Sequence, residues 1–210
     1  MTTIKKRRKY IAVAGNIGSG KSSLVAFLCK HYGLKPFFEP NEENPYLKDF
    51  YADMERWAFQ SQLYFLSRKF RIHQELDRAR PKGTVVQDRT IFEDAEIFAL
   101  NLYRSRHISA RDYKVYRDLY ETILNAIRPP DLLVYLDAPV RVIRQRIHLR
   151  GRPEEMGIDV GYLKRLDRLY KKWSAGYGLS PTLIVDTSKI DYMSDFIHRQ
   201  DMLDRIESHI

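Results

Sequence analysis

The chain has 210 residues, 44% of them apolar and 30% charged, which suits one compact soluble domain and excludes a disordered or collagen-like chain. No apolar run approaches the ~18 residues of a membrane span, and no secretory cleavage pattern follows the basic start. The net charge of +9 favours anionic ligands, and a single cysteine, Cys29, excludes an internal disulfide and fits a reducing cytoplasm.

Residues 1–9 carry Lys5, Lys6, Arg7, Arg8 and Lys9 and read as a solvated basic arm, not a nucleic-acid-binding segment. Residues 10–210 read as a single domain. Five β-rich runs occur at 10–14, 36–38, 84–87, 132–136 and 182–185. Several are continuously aliphatic, as parallel strands buried on both faces are. Helical patterns lie between and after them, at 21–31, 55–80, 91–103, 110–127, 140–150, 160–177 and 192–207. Pro129-Pro130 is expected to stop the helix before the fourth strand. Cys29 is expected to be a small core residue on the first helix. Strands alternating with helices predict a doubly wound α/β fold with a five-stranded parallel sheet, which binds ligands beyond the carboxyl ends of its strands.

The segment Gly15-Asn16-Ile17-Gly18-Ser19-Gly20-Lys21-Ser22 follows the first strand and precedes a helix, and matches the phosphate-binding loop G-x-x-x-x-G-K-[ST]. Its glycines let backbone amides turn inward around phosphates. Lys21 is placed to reach the β/γ-phosphates, and the Ser22 hydroxyl is suited to Mg²⁺. The D-x-x-G and N-K-x-D elements of a GTPase do not occur, nor does an aliphatic run ending in Asp-Glu as in ATPase motors. A P-loop kinase acting on a small molecule, with a helical lid, remains.

Glu39, before Pro40 at the end of the second strand, is a candidate to take a proton from a hydroxyl acceptor. Asp88 and Arg89 end the third strand. Asp88 is suited to orient Mg²⁺ directly or through water, and Arg89 to pair with Glu39 or with the transferring phosphoryl group. Arg146 and Arg150 share a helical face, and Gly151 lets Arg152 turn back towards them. Three converging guanidiniums match the charge on a phosphoryl group in flight.

Together, the phosphate loop, Glu39-Pro40, Glu55-Arg56-Trp57 with Gln62, Asp88-Arg89, and Leu149-Arg150-Gly151-Arg152 with Glu154-Glu155 resemble the deoxynucleoside kinase family over residues 10–191. The resemblance implies transfer of the γ-phosphoryl group of ATP, or another nucleoside triphosphate, with Mg²⁺ to the 5′-hydroxyl of a deoxynucleoside. It implies Glu39 as general base, Arg89 as its holder, Tyr51 and Glu155 at the sugar 3′-hydroxyl, and Gln62 on the base with Trp57 nearby. Asp94 matches an aspartate that reads the base in deoxycytidine and purine members. The arginine that accompanies it there falls at Lys69, or at Arg68 in a shifted register. Asp191 matches the adenine-binding loop of the phosphate donor only with one inserted residue. The stretch 41–45 looks like the purine-preferring bacterial branch, so deoxyadenosine or deoxyguanosine is expected, with deoxycytidine next. A homodimer through helices 55–80 and 110–127 is also implied, with no nucleic-acid or membrane partner. The rival readings are a nucleoside monophosphate kinase or another small-metabolite kinase, and a non-catalytic nucleotide-binding protein. The first is disfavoured because Glu39 would repel an acceptor phosphate.

Overall fold

The computed structural model describes residues 8–39 and 43–209. Most of the basic arm lies outside the described residues, as do Pro40, Asn41 and Glu42. Five parallel strands form one sheet: β1 (Tyr10–Gly15), β2 (Lys35–Phe37), β3 (Val85–Asp88), β4 (Leu132–Asp137) and β5 (Thr182–Asp186), in the order β2-β3-β1-β4-β5. The central strand β1 pairs Val13 with Asp88 of β3 and Gly15 with Leu136 of β4. The carboxyl ends of all three therefore meet at one edge.

Alternation along β1 sends its residues to two faces. Tyr10, Ala12 and Ala14 belong to one core with Tyr135, Leu163, Leu166 and Tyr170, while Ile11 and Val13 belong to a second with Leu24, Leu28, Met202 and Ile206. The second face is covered by α1 (Lys21–Tyr32) and α8 (Phe196–Glu207). Gly33 closes α1 in the left-handed conformation (φ 67°), its N–H donating to Cys29 O at 2.8 Å. Cys29 is half-buried against this core, and burial pushes its thiol up to about 11, as an inert packing residue requires.

The first face carries the long α3 (Met54–Ala79), α4 (residues 91–104) and α7 (Val160–Gly176). A third apolar cluster, with Leu66, Phe92, Ala95 and Tyr116, joins α3 and α4 to α5 (Ala110–Leu124). Helix α4 spans residues 91–104 in three segments, Ile91–Glu93, a π-helical stretch Asp94–Ala99, and Leu100–Arg104.

The sequence patterns differ from the observed helices in three places. A short helix α2 (Leu47–Ala52) precedes α3; six residues are too few for a periodic signal. Helix α5 ends at Leu124 instead of 127, and the exit is held by the Arg128 N–H, which donates to buried His73 Nε2 at 3.0 Å. Helix α8 begins at Phe196 instead of 192, because Asp191 takes the preceding amides of Met193 and Ser194 while Asp195 caps the helix by accepting the His198 N–H of its first turn. The lid helix α6 (Val140–Arg150) has the expected bounds and is capped by Gly151 at φ 68°. A 3₁₀ turn, Pro153–Glu155, follows it. Among the described residues no helix is long and apolar enough to cross a membrane.

Candidate active site

The phosphate loop leaves β1 at Gly15, where φ is 149°. A Cβ here would lie 2.5 Å from Ser19 Oγ and 2.8 Å from the Leu136 carbonyl, so the position admits only glycine without displacement. Asn16 anchors the loop by donating from Nδ2 to Leu163 O on α7 (3.1 Å) and accepting the Ile17 N–H (2.8 Å). Gly18 and Gly20 also take positive φ, and the helix begins at Lys21 with its free amides facing the loop. Lys21 donates to Asn16 O at 3.0 Å. Burial, and next the neighbouring Arg89, hold its ammonium down at about 8. A polyphosphate would reverse that by supplying the opposite charge.

Ser22 Oγ donates to Asp88 Oδ2 at 2.5 Å, and Asp88 Oδ1 is buried without a hydrogen-bond partner. A hydroxyl beside an unsatisfied carboxylate oxygen suits a hard divalent cation that keeps several waters and phosphate oxygens. Among the described residues there is no cluster of three or more metal-ligating His, Cys, Asp or Glu side chains.

Glu39 follows β2 and meets Arg89 at the end of β3. Arg89 Nη1 lies 2.8 Å from both carboxylate oxygens of Glu39, its Nη2 donates to Gly15 O at 3.4 Å, and its guanidinium stacks over Phe98 at 4.5 Å. Arg89 adopts φ 58°, a left-handed conformation that a long side chain takes only when its surroundings impose it. Lys69, fully buried on α3, donates to Arg89 O at 2.6 Å and stands 3.6 Å from Glu39 Oε1. Burial raises the Glu39 pKa, but Arg89, Lys69 and Lys21 outweigh it and hold the carboxyl at about 2. Glu39 is thus an ionised acceptor at any physiological pH.

One cavity is lined by Lys21, Ser22, Glu39, Tyr51, Gln62, Arg89, Asp94, Arg150, Arg152 and Glu155. Most of the expected site residues therefore converge from six segments of the chain. At its inner end Gln62 Oε1 and Asp94 Oδ2 are buried without hydrogen-bond partners. Burial pushes the Asp94 carboxyl up to about 7, opposed first by Lys69. At the lid end Glu155 accepts from Arg150 and, at 3.4 Å, from Arg152. Burial raises the phenol of Tyr51, with Tyr162 and then Glu155 adding to it.

Two expected residues stand elsewhere. Arg146 is not on this cavity or on Glu155; it lines a second cavity that it shares with Arg150. It donates to Ser19 O (3.2 Å), Thr187 Oγ1 (2.9 Å) and Thr187 O (2.7 Å), fastening the phosphate loop to the segment after β5. Trp57 is not on the cavity wall; it stacks on Tyr46 at 5.7 Å, with Arg56 over its ring. The two cations expected beside Asp94 part ways, and neither hydrogen-bonds to its buried Oδ2. Arg68 turns outward to Glu43, and Lys69 is the buried cation, though its hydrogen bonds go to backbone carbonyls. The second cavity, on the far side of the loop, is also lined by Gly20, Thr187, Asp191 and Tyr192. There Tyr192 OH donates to Gly20 O at 3.0 Å.

Sequence reasoning missed Glu93. It is fully buried between Gly15, Thr90 and Tyr170. The signal was the capping-box spacing Thr90-Ile91-Phe92-Glu93, easily passed over beside the Asp-Arg pair.

The profile described as "Deoxynucleoside kinase" matches residues 11–210. The chain is 36% identical over 206 residues to the deoxyadenosine/deoxycytidine kinase of Bacillus subtilis (strain 168), covering 97% of this chain and 94% of that one. It is 38% identical over 205 residues to a deoxyguanosine kinase of Lactobacillus acidophilus, covering 93% of this chain and 88% of that one. Among solved structures it resembles the deoxyadenosine kinase of M. mycoides with products dCMP and a flexible dCDP bound, with a TM-score of 0.83 at 29% identity over 95% of this chain and 99% of that one. The same kinase with bound dATP gives 0.80 at 30% identity over 93% and 99%.

The close fit at Gly15 makes a direct prediction. Gly15→Ala should weaken equilibrium binding of ATP by at least about tenfold, on the order of 1.4 kcal/mol, because the Leu136 carbonyl is backbone and cannot swing aside. An unchanged dissociation constant by titration calorimetry would show that this loop does not carry the triphosphate.

Proposed function

The chain belongs to the deoxynucleoside kinase family and is a phosphotransferase acting on deoxynucleosides, and on that premise we propose which residues carry the reaction and which base it takes. The observation that carries the proposal is the doubly hydrogen-bonded Arg89–Glu39 pair, set beside Lys21 on the wall of a cavity that ends in Gln62 and Asp94.

ATP lies with its phosphates on residues 15–22 and its base in the second cavity, near Asp191 and Tyr192. The deoxynucleoside lies in the first cavity with its 5′-hydroxyl at Glu39. Glu39 takes the hydroxyl proton as the oxygen attacks the γ-phosphorus and the bond to the β-phosphate breaks. A carboxylate held at about 2 is a weak base, so its main work is to orient the hydroxyl and receive the proton late, once the bond to phosphorus has formed. Arg150 and Arg152 meet the charge on the transferring group from the lid. Arg146 acts at one remove, by fixing the loop that bears Ser19. Ser22 and Asp88 are the residues fitted to hold Mg²⁺, which supplies charge neutralisation at the phosphates. Tyr51 and Glu155 bind the 3′-hydroxyl from two sides, phenol donating and carboxylate accepting. Trp57 stands outside this cavity, stacked on Tyr46.

The acceptor we propose is deoxyadenosine or deoxyguanosine, with deoxycytidine next. Gln62 offers a donor and an acceptor together, and Asp94 leaves one oxygen for an amino group of the base. The names of the relatives, which are deoxyadenosine, deoxycytidine and deoxyguanosine kinases, support the same choice. A homodimer through α3 and α5 is supported by Val115 and Leu119, exposed apolar residues one turn apart on α5. A cytoplasmic location accords with both substrates.

Three outcomes are expected. Glu39→Gln should keep ATP binding but lower kcat by roughly 10²–10⁴ in a coupled assay with ATP and a panel of deoxynucleosides; near-parental turnover would remove Glu39 from the chemistry. In the same panel thymidine should be a poor substrate, and Asp94→Ala should improve it relative to deoxyadenosine, since thymine places a methyl group and a carbonyl where adenine has an amino group. Thymidine as the best substrate of the parent enzyme would overturn the base assignment. Light scattering should give twice the chain mass, falling to one chain mass in a Val115→Asp/Leu119→Asp variant; a monomeric parent would refute the dimer.

A further inference from the structure

Glu93 has no part in the scheme above, yet its carboxylate is the most fully enclosed of those around the site, with no solvent exposure. Oε1 accepts from the Gly15 N–H at 3.2 Å and from Tyr170 OH at 2.9 Å, and stands 3.9 Å from Arg89 Nε. Oε2 accepts from the Thr90 N–H at 2.8 Å and the Thr90 hydroxyl at 3.2 Å. One side chain thus ties together the first residue of the phosphate loop, the turn that carries Arg89, and helix α7.

The chemistry of these partners decides the charge state. The Gly15, Thr90 and Arg89 nitrogens are all donors, and a protonated Glu93 would set its own O–H among them. Burial pushes the carboxyl pKa up, while Arg89 and then the Thr90 amide act against that. The ionised form is the one these donors accommodate.

Arg89 is in a conformation it would not adopt unaided, φ 58°. Its backbone is held by Lys69 at the carbonyl and by Val13 O at the amide, and Glu93 holds the next amide, that of Thr90. The guanidinium stands between two carboxylates, hydrogen-bonded to Glu39 and facing Glu93 through Nε. Moving Glu93 would move Gly15 and Arg89 relative to each other. Those two positions carry the donor phosphates and the acceptor hydroxyl.

We propose that Glu93 is a positioning residue for phosphoryl transfer, setting the separation between the phosphate loop and the Arg89–Glu39 pair. Reactions between two bound groups are steep in such a separation, and a displacement of about 1 Å can cost on the order of 10²-fold. The inference rests on the placement of Glu39 and Arg89 at the acceptor hydroxyl proposed above.

The test is Glu93→Gln, which keeps the shape and turns an amide NH₂ towards groups that are themselves donors. Turnover per folded molecule with the best deoxynucleoside should fall at least about tenfold, while the ATP dissociation constant, measured without acceptor, should change by less than about threefold. A purely structural role would reduce the amount of folded protein and leave kcat per folded molecule unchanged. A kcat within about twofold of the parent, or an ATP affinity lost in step with kcat, overturns the proposal. If Glu93→Gln does not fold, Tyr170→Phe removes one donor and leaves the charge in place. It should lower kcat by about threefold or more at unchanged ATP affinity, and unchanged kcat overturns the proposal equally. The Glu39→Gln variant separates the two readings. Full turnover there refutes the acceptor assignment, whereas a crippled Glu39→Gln beside a normal Glu93→Gln refutes only the role of Glu93.

Discussion

The structure turns on a buried guanidinium. Arg89 sits at the carboxyl end of β3 in a left-handed conformation and donates to both oxygens of Glu39. Around it lie two more enclosed cations, Lys21 and Lys69, and two more enclosed carboxylates, Glu93 and Asp94. Burial alone would expel each charge. Loss of one partner from such a group typically costs 3–5 kcal/mol, although apolar residues of the same volume would often serve stability as well. The cluster is therefore better understood as a device for position than for stability. The lowered Lys21 and raised Asp94 pKa values mark two members whose balance a ligand would complete, one by phosphate and the other by a hydrogen-bond donor.

The sheet order explains why one chain can present two ligands to each other. From β1 the order runs through β3 to β2 on one side and through β4 to β5 on the other. The loop leaving β1 thus has a crevice on each flank. On the β3 and β2 side lie Glu39 and Arg89 with the cavity of Gln62 and Asp94. On the β5 side lie Thr187, Asp191 and Tyr192. The phosphate loop, fixed by Asn16 to α7 and by Arg146 to Thr187, is the wall between them. On the placement of the two substrates proposed above, the transferring phosphoryl group needs to travel only along that wall.

The lid connects the two ends of the acceptor cavity. Gly151 turns the chain after α6, and the turn sets Arg150 and Arg152 on Glu155. A residue assigned to the sugar and two assigned to the phosphates are thereby in contact. Binding at the sugar position would then bias the arginines that face the transferring group, a physical link between recognition and rate.

Much of this was legible from the residues alone. Continuous aliphatic runs gave away the buried parallel strands, and the glycine spacing at 15–20 identified the phosphate loop, because both are local demands of backbone and burial. Asp88, Arg89 and Glu39 could be picked out because each stands at a strand end, where side chains of a doubly wound sheet face a ligand. The fates of Arg146 and Trp57 could not be read in the same way. Helical spacing put Arg146 with Arg150, but which acceptor each guanidinium reaches depends on the approach of the Thr187 segment, 41 residues away. Glu93 was hidden for the same reason: a capping-box spacing shows how a helix starts, but not that the same carboxylate also meets Gly15 and Tyr170, 78 and 77 residues distant. Sequence alone determined the class of chemistry, since phosphate loops and strand-end carboxylates are set by local geometry. Only the tertiary structure decided how the buried charges are shared, because a buried charge is defined by every neighbour that replaces its water, and those neighbours come together only when the chain folds.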